Sequence, residues 1–418
     1  MIQRPRGTAD ILPAEAAKYR YIEQKAREIA ALYGFSEIRF PTFESTELFF
    51  RGVGDGTDIV QKEMYTFADK EGRSLTLRPE GTASLARAVV ENGLYGGNMP
   101  LKYYYVINCF RYEVPQSGRS REFTQFGMEL YGAPQPAADV SVISAAYRIA
   151  EALRIKATVN LNSIGCRNCR PVYLAKLREY YEARRDRLCD TCRERLGVNA
   201  MRLLDCKEPE CRALAEEAPK ISDCLCDECK AHFSATVRGL ERAGIRYRID
   251  PNTVRGLDYY TKTVFELIAD DGSGTAAVLG GGGRYDGMIG ELGGPELGGI
   301  GFAVGLSRLA LAMPDGEAKE EKPALYVAPM GERAAEEAAV ICEKLRSLGI
   351  ACETDLVGRS LKAQMKYADK SGFGYTAVIG DSELDSGKCV LRSMADGCET
   401  ETAISDIPDT LAKLLAAE

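Results

Sequence analysis

The apolar positions of residues 13–33 recur at helical spacing and Gly34 ends the run, which predicts an amphipathic helix. A short strand, SEIRFP, follows and stops at Pro41, whose ring removes a backbone donor. KEMYTF and RSLTLRP read as a strand pair joined by the turn ADKEG, and RPEGTASLARAVVENG then leads from strand into helix with Thr82 as N-cap. Residues 102–132, KYYYVINCFRYEVPQSGRSREFTQFGMELYG, predict a β-hairpin whose turn holds Pro115 and Gly118. On its returning strand, period two puts Thr124, Phe126, Met128 and Leu130 on a core face, and Phe123, Gln125, Gly127, Glu129 and Tyr131 on the other. Gln125 and Glu129 flank Gly127, which has no side chain, so that second face is expected to leave room for a ligand.

Residues 137–154 continue as a helix and 156–162 as a strand, and then the composition changes. Nine of the chain's 14 cysteines fall between Cys166 and Cys229, in a stretch of helical spacing expected to be an insertion over 166–240. They include three CxxC pairs, Cys166/Cys169, Cys189/Cys192 and Cys226/Cys229. That spacing lets two thiolates share one tetrahedral zinc, so structural Zn2+ is expected on these six residues. Buried free thiols are the alternative, and which pairs share a metal stays open. Further on, TVRGLDYYTKTVFELI predicts an edge strand and the glycines of GGGGRYDG a turn. GIGFAVGLSRLALAM predicts a strand running into a helix, with Gly301 and Gly305 allowing close backbone approach. A charged linker, DGEAKEEKP, separates a first domain, 1–321, from a second, 322–418, that reads β-α-β-α-β-β-β-α. On the second helix of the latter, Lys362, Lys366 and Lys370 form a basic stripe, by default a solvated face.

Composition narrows the function. With a net charge of −7 the chain is no generic nucleic-acid binder, so any RNA contact must come from local basic patches. One histidine, His232, and no tryptophan nearly remove the Ser/His/Asp and Cys/His nucleophile mechanisms and any multi-histidine metal centre. No apolar run reaches the ~18 residues of a membrane span and the N-terminus has no signal-peptide core, which together predict a cytoplasmic protein with reduced thiols. Against that acidic balance, Arg111, Arg119 and Arg121 cluster at the open end of the hairpin, where planar, permanently charged forks suit a polyphosphate. A solvated basic loop reads equally well from those residues alone.

The stretch FRYEVPQSGRSREFTQFGMELYG resembles motif 2 of the class II aminoacyl-tRNA synthetases, GFSEIRFPTFE resembles motif 1 and GIGFAVGLSRLALAM motif 3. RGLDYYTKTVFE with GGGGRYDG resembles the two signatures of the histidyl-tRNA synthetases, and the last domain looks like their α/β anticodon-binding domain. The resemblance implies an α/β (α+β) protein, with an antiparallel-sheet catalytic domain carrying the Cys-rich helical insertion. It further implies a ligase that joins L-histidine to tRNA(His) at the expense of ATP with Mg2+, and a homodimer built around Pro41. By the same resemblance Arg111 and Arg255 are catalytic and flank the α-phosphate, while Arg119, Arg121 and Arg308 hold the β- and γ-phosphates. Glu80, Thr82 and Gln125 would hold the amino group of histidine, with Gly81 in the same site. Glu129 and Tyr260 would hold the imidazole, with Tyr259 and Tyr285 lining the pocket. Three positions depart from the family pattern: Thr124 stands where histidine is frequent, Ser120 where tyrosine is, and Ser307 where an acid commonly precedes the motif 3 arginine. Thr124 falls on the core face, which makes its change one of packing, whereas Ser307 bears on magnesium–ATP positioning. These departures sustain a second reading, a catalytically silent paralogue serving as regulatory subunit of ATP phosphoribosyltransferase. That paralogue usually lacks the C-terminal domain and loses substrate residues.

Overall fold

The computed structural model describes residues 1–54, 57–270, 277–318 and 322–416. Helix α1 (Pro13–Leu32) starts on a proline, whose missing N–H costs nothing at a helix start, and buries Ile22, Ala26 and Ala30 at four-residue spacing. The chain leaves it through Gly34 at φ 74°. Strand β1 (Ser36–Glu37) is shorter than predicted. β2 (Phe43–Ser45), β3 (Tyr65–Ala68) and β4 (Ser74–Leu77) make a small antiparallel sheet in the order β2-β4-β3, with α2 (Thr46–Val53) between its first two strands. In α3 (Thr82–Glu91) the N-cap is Gly81 rather than Thr82, because Glu80 does the capping: its carboxylate accepts the amides of Thr82 and Ala83, each at 2.7 Å.

The predicted hairpin is β5 (Leu101–Phe110) and β6 (Glu122–Tyr131), followed by α4 (Pro136–Ala152) and β7 (Ala157–Ser163). The insertion is helical, as expected, with α5 (Cys169–Glu182), α6 (Asp190–Val198), α7 (Pro209–Glu217) and α8 (Asp227–Arg242), and a 3-10 segment at Ala200–Asp205. β8 (Tyr247–Ile249), β9 (Thr261–Ala269), β10 (Ala277–Arg284), α9 (Met288–Glu291), β11 (Gly299–Gly305) and α10 (Leu306–Ala312) complete this unit. Its sheet runs β1-β5-β6-β11-β10-β9-β7-β8, antiparallel except for the outer pairs β1·β5 and β7·β8.

Two expectations fail here. β9 is an interior strand, flanked by β10 and β7; Val264, Phe265, Leu267 and Ile268 are all buried, a two-faced burial that the interspersed threonines disguised. The glycines at 280–283 lie inside β10 and not in a turn, because the neighbouring strands come too close for side chains. A Cβ on Gly282 would stand 1.9 Å from the carbonyl oxygen of Gly301.

One face of the sheet packs on helices. Phe126, Met128 and Leu130 of β6 meet Ile22 and Ala26 of α1 and Val142, Ala146 and Ile149 of α4, so the predicted core face is the real one over that stretch. Thr124 is the exception: the hairpin outruns this packing, and Thr124 is half-buried, donating to Asn108 Oδ1 at 3.0 Å. The insertion belongs to a second core with Tyr105, Tyr131 and Tyr285. A buried ion network joins α4, α8 and β10. Asp139 of α4 pairs with the guanidinium of Arg284, which is fully buried, and with His232 of α8 at 3.0 Å. The Arg284 fork also reaches Asp286 at 3.0 Å and the Ala133 carbonyl at 3.1 Å, so the buried charges are paired and bonded, as burial demands.

Contacts within the chain divide it into Met1–Ala318 and Lys319–Glu418. Residues 319–321 of the predicted linker lie outside the described residues. The second unit has a five-stranded sheet of β12 (Leu325–Pro329), β13 (Cys352–Thr354), β14 (Tyr375–Ile379), β15 (Lys388–Ser393) and β16 (Glu399–Ala403), in the order β13-β12-β14-β15-β16. Its helices are α11 (Glu332–Ser347), α12 (Leu361–Ser371), α13 (Asp381–Ser386), which the sequence reading missed, and α14 (Ile407–Ala416). Lys362, Lys366 and Lys370 are exposed on α12, while Gln364 and Ala368 are buried.

Candidate active site

On the face of the large sheet away from α1 and α4, a cavity of about 290 Å³ opens between the β5–β6 hairpin, the Arg255–Tyr260 segment, β10 and the start of α10. Most of the residues singled out in the sequence converge on it. Arg111, Arg119, Arg255 and Arg308 line it, as do Glu80, Thr82, Gln125, Tyr259 and Tyr260.

Each of the four arginines has a hydrogen-bond partner at the cavity. Arg111 follows β5 at once; its Nε donates to the Pro79 carbonyl at 2.8 Å and its guanidinium lies 5.4 Å from the Phe123 ring centre. Arg255 Nη1 bonds Glu266 of β9 at 2.6 Å, and its Nε is buried with no hydrogen-bond partner among the described residues. A buried donor left unpaired is a standing cost that a bound acceptor relieves. Arg308, near the start of α10, donates to the Val278 carbonyl. Its pKa is lowered by burial and next by the Arg119 cation nearby, so two positive charges are crowded on one wall. Glu113 stands between two of them, 3.4 Å from Arg119 and 3.7 Å from Arg111.

The rest of the lining is largely polar, with Glu80 and Tyr260 buried and Gln125 and Tyr259 half-buried. Glu80 is held at the N-terminus of α3 with its pKa raised by burial. Gln125 Oε1 accepts from the Cys109 thiol at 3.4 Å. Tyr259 and Tyr260 pack ring against ring at 4.5 Å.

Several predicted residues stand elsewhere. Glu129 is fully buried behind the wall, where Thr82 Oγ1 donates to it at 2.7 Å, Tyr105 Oη at 3.0 Å, and Tyr285 Oη from the other side. Burial pushes its carboxyl up to about 8, against the hydrogen bonds from Tyr285 and Thr82, which favour the charged form. Of the two residues expected to hold the imidazole, Tyr260 lines the cavity and Glu129 reaches it through Thr82. Tyr285 is likewise a partner of Glu129 and not part of the lining. The gap expected beside Gly127 is filled, since the Tyr105 ring occupies it: a Cβ on Gly127 would lie 2.3 Å from that ring and one on Gly81 2.5 Å from it. Gly301 does permit the expected close backbone approach, with the Met128 carbonyl oxygen 2.6 Å from a would-be Cβ, and it also admits the Glu129 carboxylate at 1.6 Å, whereas Gly305 would meet only Arg308 at 3.9 Å. Arg121 is outside the lining. Its guanidinium stacks 3.6 Å from the Tyr112 ring centre and bonds the Arg6 and Glu113 carbonyls, so it pins the N-terminal segment to the hairpin. Ser307 lines the cavity and shares a hydrogen bond of 2.8 Å with Tyr19. Thr124 and Ser120 also line it.

Sequence reading missed Tyr105, Glu113 and Glu266, and the insertion residues Asp205 and Lys207 on the cavity wall. Tyr105 was recoverable: in the hairpin register it faces Gly127, and a glycine opposite an aromatic marks a ring lying across the strand. Asp205 and Lys207 carried no such signal, because they arrive from a separate element.

The six predicted cysteines separate into two groups, each completed by the fold. Cys166 and Cys169 meet Cys226 and Cys229. Cys189 and Cys192 meet Cys206 and Cys211, which the CxxC pattern did not reveal.

The histidyl-tRNA synthetase family profile matches residues 7–309, and an anticodon-binding domain profile matches 324–414. A histidine–tRNA ligase of Caldicellulosiruptor bescii is 50% identical over 418 residues, 99% of each chain. One of Acetivibrio thermocellus is 48% identical over 97% of this chain and 98% of its own. Among solved structures, apo histidyl-tRNA synthetase of S. aureus superposes with a TM-score of 0.82 at 38% identity, over 98% of this chain and 100% of the other. Matched along nearly its whole length in sequence and in fold, the chain belongs to the histidyl-tRNA synthetase family.

Proposed function

We propose that this protein is a histidine–tRNA ligase that forms histidyl-adenylate from L-histidine and ATP and then transfers the histidyl group to tRNA(His). The observation that carries the reading is the cavity itself: four arginines, two of them crowded, line one space in a chain of net charge −7, together with a buried carboxylate, an amide and two tyrosines. In the first step a carboxylate oxygen of histidine attacks the α-phosphorus, and the bond to the bridging oxygen breaks to release pyrophosphate. That displacement needs alignment and charge stabilisation more than proton transfer, so a site without a histidine base suffices. Arg111 and Arg255 serve the α-phosphate; Arg119 and Arg308 serve the phosphates beyond it. Glu80 and Gln125 hold the substrate's amino group, and Tyr259 and Tyr260 bound the side-chain end, with Glu129 fixing Thr82 from behind. Mg2+ would accompany ATP and neutralise its phosphates, and Glu113 and Glu266 are the wall carboxylates that would hold it. Residues 1–321 form the catalytic domain and 322–418 the anticodon-binding domain, where the α12 lysine stripe suits an RNA backbone. A cytoplasmic homodimer and a zinc-bearing insertion complete the reading.

Pyrophosphate exchange, screened across amino acids, tests this. Wild type should exchange with histidine alone, because a site of paired polar contacts rejects analogues that cannot make them. Exchange with a different amino acid would overturn the substrate. Histidine binding without any exchange would favour the regulatory paralogue.

A further inference from the structure

The two cysteine groups are built as metal sites. In each, the four Sγ atoms lie within 4.8 Å of one another. Cys166–Cys169 is 3.6 Å, Cys166–Cys226 4.0 Å and Cys189–Cys206 3.9 Å. A disulfide would bring a pair to about 2.05 Å. Four thiolates around one zinc at about 2.3 Å stand about 3.8 Å apart by tetrahedral geometry, which is the spacing here. Sulfurs this close surround a single ion; the corners of an iron–sulfur cube hold thiolates further apart. Backbone amides also point at the sulfurs: Asn168 N–H to Cys166 at 3.4 Å, Cys226 N–H to Cys169 at 3.1 Å and Cys189 N–H to Cys211 at 3.3 Å. Such donors favour the charged thiolate and fix its direction. Plain core thiols have no reason to converge four at a time, twice, with amides aimed at them.

We propose that the insertion binds two structural zinc ions, one per group, and that the second holds a wall of the active site in place. The first group sits at the neck, joining the chain where it enters the insertion to the start of α8. The neck is tied in turn to the site: Ile164 N–H donates to the Lys262 carbonyl at 2.7 Å, Lys262 N–H to the Gly165 carbonyl at 2.9 Å, and Arg170 bonds the Tyr260 carbonyl. The second group gathers α6, α7 and Cys206, and Cys206 lies between the two insertion residues on the cavity wall, Asp205 and Lys207. The 3-10 segment leading to them docks on the loop that carries Arg255. Asn199 donates to Asp258 at 2.8 Å, and Arg202 presses so close to Gly256 that a Cβ there would be 2.8 Å from Nη1. Zinc at the second group thus fixes residues 199–207 against the Arg255–Tyr260 segment, and its loss frees that wall. The wall's effect on catalysis rests on the synthetase reading; the metal content does not.

Elemental analysis of the full-length protein, purified reduced and without chelator, should give about two zinc per chain with no iron or acid-labile sulfide. Titrating the wild-type holoenzyme with an organomercurial in the presence of a chromogenic zinc chelator should release both ions. Cys206→Ser with Cys211→Ser should leave one zinc and raise the KM for ATP or histidine in pyrophosphate exchange about tenfold, with kcat changed less. Cys166→Ser with Cys226→Ser should also leave one zinc, and its melting transition should fall further. Metal-free wild type, one ion per chain, or bound iron would overturn the two-zinc assignment, and if the variants do not fold the mercurial titration decides it alone. Loss of the second ion with an unchanged KM would overturn the wall. Two zinc ions in a protein without exchange activity would sink the synthetase reading and leave the metal sites standing.

Discussion

On the function proposed above, Arg255 is prepared for a charge that arrives only during reaction. Its guanidinium is anchored on one edge by Glu266 at 2.6 Å, and its buried Nε has no partner. Arg255→Ala should therefore depress adenylate formation by about 10²–10³, the usual cost of removing one preorganised charge-stabilising group. Pyrophosphate exchange near the wild-type rate would refute this role; a melting curve run beside it separates catalysis from folding, since Glu266 loses its partner too. Glu129 makes the opposite case, a carboxyl whose burial favours its neutral form and lifts its pKa to about 8. Because the folded state holds the proton more tightly than the unfolded state, whose carboxyl titrates near 4.3, the stabilisation is greatest at low pH and is lost as pH rises towards 8. Between about pH 5 and 7, wild type should lose about 1.4 kcal/mol of stability per pH unit more than Glu129→Gln does. Parallel denaturation profiles for the two proteins would mean that Glu129 is ionised throughout. In exchange assays Glu129→Gln should weaken histidine more than ATP, since Thr82 faces the cavity and bonds Glu129.

At the scale of elements, the middle of β10, residues 280–283, is compressed until only glycine fits. A Cβ on Gly281 would stand 2.4 Å from the Phe265 carbonyl oxygen and 2.9 Å from Arg255 Nη1. Gly281→Ala should displace that arginine and lower exchange activity at least tenfold, and measured kinetics indistinguishable from wild type would show that the guanidinium has room to retreat. The same strand shows what the sequence made legible. Helices α1 and α4, the hairpin and, apart from α13, the element order of the C-terminal unit follow from periodicity and turn residues, which act locally. A glycine run in a strand looks like a turn because its cause is the approach of β9 and β11, and that approach is not local. The arginines and polar residues were named from motifs and mostly do converge. What they touch depended on register: Tyr105 against Gly127 moved Glu129 behind the wall, and Tyr112 took Arg121 out of it.

For the whole molecule, the cavity residues run from Glu80 to Arg308 and so lie in the first unit, while the second has its own core around Leu325, Val327, Ile341 and Leu411. Removing residues 322–418 should thus leave histidine-dependent exchange within a few-fold of wild type and cut tRNA charging by about 10² or more, as a lost RNA-binding surface would. Equal loss of both activities would mean that the second unit supports the first. The buried contact of His232 with Asp139 offers a way to watch such changes without an added label on the surface. Since the chain has one histidine and no tryptophan, feeding isotope-labelled histidine during expression yields a protein with a single imidazole signal in its NMR spectrum. That ring sits on α8, three residues beyond Cys229, and touches α4, so it reports from the joint between the insertion and the sheet. Unlabelled substrate stays silent in the same spectrum. If the insertion holds the zinc proposed above, a shift of this lone resonance on titration with a mercurial would register the loosening of the insertion as it happens.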